Sequence, residues 1–65
     1  MKLEIEMELV RLGAINPKKT VNPEEIRQNL SAFQSVFDTA LSELTLLEQV
    51  GMISGEIYLR RSLNQ

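Results

Sequence analysis

The chain contains no cysteine and no histidine. A disulfide is therefore impossible, and zinc sites of the usual kinds lose their ligands. Histidine general bases and thiol nucleophiles are excluded with them. The three glycines stand apart, so no Gly-rich loop can cradle a phosphate. Aromatics are few: Phe33, Phe37 and a single tyrosine, Tyr58, which offers no stacking platform for bases by itself. No apolar run approaches the length of a membrane span, and nothing resembles a signal peptide. These absences lead us to expect a cytoplasmic chain that uses no cofactor or metal and is not an enzyme.

At 65 residues and a formal net charge of −2, the chain reads as one small domain, residues 1–65. Chains this short bury only about 60% of their surface and are marginal alone. With disulfides and metal removed, oligomerisation is the remaining remedy.

What the chain does have is a long amphipathic stretch from Asn22 to Gly51. Asn22-Pro23-Glu24-Glu25 is a helix start: an N-cap acceptor, a proline where its missing N–H is harmless, and acids at the positive end of the dipole. Glu25 can reach back in a capping-box exchange. Ile26, Leu30, Phe33, Phe37, Ala40, Leu44 and Leu47 then follow at alternating spacings of four and three, the seam of a helix that packs on another helix. Val36, Leu41 and Val50 widen that face. Gly51 supplies a stop. This predicts one helix over 23–50, roughly 42 Å long at 1.5 Å per residue. A monomer of this size should be only about 25–30 Å across, so the seam is expected to be a self-association or partner interface.

The flanks read as strands. Leu3, Ile5, Met7 and Leu9 alternate with Lys2, Glu4, Glu6 and Glu8, a strand period over 2–12. As a helix, the segment would place Leu3, Met7 and Val10 opposite Ile5, Leu9 and Leu12, apolar on two sides. Good helix formers such as Glu, Leu, Met and Lys argue the other way; the period is given more weight. Residues 13–22 are a loop, 51–55 a turn and 56–63 a strand with Ile57 and Leu59 on one side. The fold class is α+β and helix-dominated: N-terminal strand, long central helix, C-terminal strand, closed as a twofold dimer.

From Glu24 onward the chain also resembles a winged helix-turn-helix domain. Glu24 to Leu30 would be the second helix. Ala40, Leu44, Leu47, Gly51 and Ile53 have the spacing of a third, and Glu56 to Arg61 would be the wing. The resemblance implies a DNA-binding transcriptional regulator, of winged-helix or dimeric ribbon type. Charge opposes it: no Lys or Arg occurs from Gln28 to Gly55, and phosphate contacts need cations. The candidate anion or nucleic-acid contacts are Lys18, Lys19, Arg60 and Arg61, whose plainer role is surface solubility. Glu4, Glu6 and Glu8 would line one strand face and could hold a hard cation; a solvated outer face is the plainer reading. The functional expectation is a small non-enzymatic module that self-associates, as a dimer first, with a larger protein as a second partner class, nucleic acid disfavoured and no membrane.

Overall fold

The three helices of this protein end in the same way, and only one of the endings uses glycine. The computed structural model describes residues 1–60. Helix α1 spans Lys2–Arg11, α2 Pro23–Asn29 and α3 Gln34–Leu46; strands β1 (Val50–Ile53) and β2 (Glu56–Leu59) follow. After each helix one residue enters the left-handed region: Gly13 (φ 76), Ser31 (φ 53) and Glu48 (φ 59). The next N–H then reaches back across the last turn, Ala14 to the Leu9 carbonyl, Ala32 to Arg27 and Gln49 to Leu44, at 2.9–3.1 Å. Each closure satisfies carbonyls that a helix end leaves free.

The single helix expected over 23–50 is thus two helices, and the expected strand–long helix–strand architecture is overturned. Ser31 turns the chain, and the Arg27 Nη1 donates to the Ala32 carbonyl at 2.9 Å, holding the turn. Helix α3 restarts from Phe33 at extended angles with no side-chain cap. At 13 residues it is about 20 Å long, and it fits within extents of 26 × 21 × 19 Å. Start and stop also differ from each other in outcome. Asn22 accepts from the Glu24 N–H at 2.9 Å, with Pro23 at the first helical position. Gly51, read as the helix stop, lies instead in β1. There it faces Tyr58 across the hairpin, and the tyrosine ring occupies the space a Cβ would need.

Residues 2–11, expected as a strand, are helix α1. Ile5 and Leu9 are fully buried, and Leu12 packs on the same core. The strands are both C-terminal and pair antiparallel, Val50 with Leu59 through Ile53 with Glu56. Ser54 and Gly55, both at positive φ, make the two-residue hairpin turn that matches strand twist. On the other edge of β2, Val21 exchanges two backbone bonds with Ile57, and the Leu59 N–H donates to the Ala14 carbonyl. Ile57 and Leu59 therefore face the core, where Ile5, Leu9, Ile26, Phe37, Leu44 and Val50 converge. The part of the expected C-terminal strand beyond residue 60 lies outside the described residues. No helix among those described is long and apolar enough to cross a membrane.

The winged helix-turn-helix resemblance placed a second helix over Glu24 to Leu30, a third ending at Gly51 and a wing from Glu56; α2 spans Pro23–Asn29 and β2 Glu56–Leu59, while α3 ends at Leu46 and Val50 to Ile53 are strand.

Ser31 occupies a conformation that L side chains adopt at a cost of about 1–2 kcal/mol, which glycine avoids. Ser31→Gly is therefore expected to stabilise the protein by about 0.5–1 kcal/mol, net of glycine's extra chain entropy. Urea unfolding checks this; a destabilised variant would contradict the left-handed turn.

Candidate association surface

The residues expected to form the seam fall into two sets. Ile26, Phe37, Ala40 and Leu44 are buried in the chain's own core, and Leu30 packs against it. Folding back at Ser31 shelters them without a partner. Phe33 and Leu47 remain outside, Phe33 at 81% exposure. The excess ridge length that motivated the seam is therefore gone.

Other apolar side chains stand exposed, on α1 and on α3. Leu3, Met7 and Val10 stand out from α1, and Val36, Leu46 and Leu47 from α3. The two helices are tied by an ion pair, Lys2 Nζ to Glu43 Oε1 at 3.1 Å. Met1, Val36 and Ala40 line an open groove on one side of it, and Leu46 and Leu47 a second depression on the other. Leu46, at 82% exposure, stands free at the end of α3. Sequence reasoning passed over Leu3, Met7 and Val10 because it assigned them to a strand; the signal was the two-sided helix it set aside.

The charges are arranged to hold elements together. Glu8 is the one buried charged residue among those described, at 8% exposure. It accepts from Arg11 Nε at 2.9 Å and from Asn29 Nδ2 of α2 at 3.0 Å, with Arg11 Nη2 also bonded to it. The Arg11 guanidinium holds its carboxyl below the ordinary carboxylate range; burial opposes this, and Asn29 adds to it. Arg27 pairs with Glu24 and depresses that carboxyl too. Glu25, expected to complete a capping box, is exposed, and its neighbour Glu24 meets Arg27 instead.

Glu4, Glu6 and Glu8 do not share a face. On α1 Glu4 and Glu8 lie one turn apart on the same side and Glu6 points away from both, and no group of three such ligands gathers among the described residues. Helix α3 presents Asp38 and Glu43 outward and no cation. Lys18 and Lys19 are exposed in a tight turn, where the Asn16 side chain accepts from the Lys18 N–H at 2.9 Å. Asn16 and Pro17 of this turn share a shallow cleft with Tyr58 and Arg60. The structure thus brings Arg60 to the loop that carries the lysine pair; Arg61 lies outside the described residues.

Because the Glu8 carboxyl is depressed in the folded state, its contribution is present above the ordinary carboxylate value. It is lost as pH falls through the lower, folded value. Stability in urea is expected to drop between neutral and acid pH, and Glu8→Gln to flatten part of that drop. An unchanged pH profile in the variant would contradict the role given to Glu8.

Comparison with protein-family models, with curated proteins and with solved structures finds no match for this chain.

Proposed function

We propose that this chain is a non-catalytic association module that works by pairing with a second copy of itself. The observation that carries the reading is the set of exposed apolar side chains on α1 and α3. Leu3, Met7, Val10, Val36, Leu46 and Leu47 are all exposed there. The cations within these helices each have a carboxylate partner, Lys2 with Glu43 and Arg11 with Glu8. Clusters of exposed apolar residues rimmed by charge mark protein-binding surfaces. Phosphate binding needs available cations, and this surface offers acids instead.

A second reading, a DNA-binding regulator, has one observation behind it. Arg60 lies against the loop of Lys18 and Lys19, at the hairpin end of a helix–turn–helix sequence. The two readings separate in one pair of measurements. Self-association predicts a mass that rises with concentration in sedimentation equilibrium, from 7.4 kDa toward twice that value. It also predicts no complex with duplex DNA at low ionic strength. A concentration-independent monomer that binds duplex in a salt-dependent way, and loses it when Lys18, Lys19 and Arg60 are replaced, would reverse the conclusion.

A further inference from the structure

The outer stripe of α1 is compatible with itself in one orientation. Leu3, Met7 and Val10 are 58%, 55% and 46% exposed and recur at spacings of four and three. At about 100° per residue they lie within about 60° of the helix circumference. Glu4 and Arg11 share one flank of this stripe, separated by about 20° on the same wheel. Glu6 lies on the other flank.

We propose that two copies pair through this stripe with their α1 helices antiparallel, Met7 beside the twofold axis. The inference rests on the self-association reading above and assigns it a seam. In an antiparallel twofold pair each flank meets its own counterpart. Glu4, three residues before Met7, comes level with the partner's Arg11, four residues after it, and the pairing repeats by symmetry. A parallel pair would set the Glu4 flank against the flank of the partner's Glu6, acid against acid. Charge therefore selects the antiparallel arrangement.

Both charged groups have capacity for this. The Glu8 carboxylate takes the Arg11 Nε and Nη2, and a guanidinium has five N–H donors. Glu4 receives the Met1 amine at 3.0 Å on Oε1, and its side chain is 58% exposed. On the same flank, Met7 and Leu30 line a shallow cleft rimmed by Glu4, Glu8 and Arg11, which extends the apolar seam toward α2. Three side chains and a cleft are small beside the roughly 800 Å² per partner of a standard interface. The Glu6 flank also brings two acids near each other. The dimer is accordingly weak, with its midpoint in the micromolar range or above.

Sedimentation equilibrium of the full chain over about 10 μM to 1 mM tests the seam. The wild-type mass is expected to approach a dimer, Met7→Asp to weaken pairing at least tenfold, and Glu6→Gln to strengthen it. Circular dichroism verifies that each variant folds, which the exposure of Met7 and the partial exposure of Glu6 favour. Since the chain has no cysteine, Met7→Cys is expected to form a disulfide-linked dimer on mild oxidation, and Thr45→Cys on α3 is not. A dimer that survives Met7→Asp, with no Met7→Cys crosslink, overturns the α1 seam and leaves self-association standing. A wild-type monomer across the whole range overturns both.

Discussion

The fold depends on a reversal of direction at Ser31. Without it, the apolar residues from Ile26 to Leu44 would form one ridge and have no place to go within so short a chain. With it, α2 and α3 each pack on α1, and Ile26, Phe37 and Leu44 meet Ile5 and Leu9 in one core. The turn is held by backbone closure of Ala32 onto Arg27 and by the Arg27 side chain on the Ala32 carbonyl. Arg27 is itself oriented by Glu24. A single arginine thus couples the first turn of α2 to the link that follows it.

The same core leaves α1 with work undone. One side of this helix is buried to completion, and the opposite side carries three apolar residues about half in water. Burying such a side chain fully is worth about 1.5–3 kcal/mol relative to exposure, so the open stripe forgoes part of that three times over. A second copy can recover it. In the proposed antiparallel pair the flanking charges would favour a copy over a generic apolar surface, because Glu4 would meet the partner copy's arginine on the same flank. The acids on α3 and the pairing of Lys2 and Arg11 with carboxylates point away from nucleic acid at this surface.

The start of α2 at Asn22-Pro23 and the shared side of Ile57 and Leu59 were legible in the sequence because each rests on local chemistry. The break at Ser31 was not, for two physical reasons. The turn uses a serine at positive φ where glycine or asparagine would have signalled it. It also occupies Leu30 to Phe33, close to one helical turn, so the four-three spacing of apolar residues runs through it undisturbed. Residues 2–11 misled by superposition. Leu3 and Met7 form one row and Ile5 and Leu9 another, each spaced by four and offset by two, and together they imitate a strand's alternation. Gly51 read as a helix stop because its other use, making room for the Tyr58 ring, depends on a strand pairing that no local pattern reveals. Of the candidate site, the expected seam lay mostly in the core, and the stripe now favoured was recognised as a helical face and then set aside.

The reversal at Ser31 is most directly tested by backbone chemical shifts in solution, assigned from Pro23 to Val50. Helical Cα shifts are expected to stop after Asn29, with a left-handed signature at Ser31, and to resume at Gln34 and end at Leu46. Unbroken helical shifts from Pro23 through Val50 would contradict the reversal.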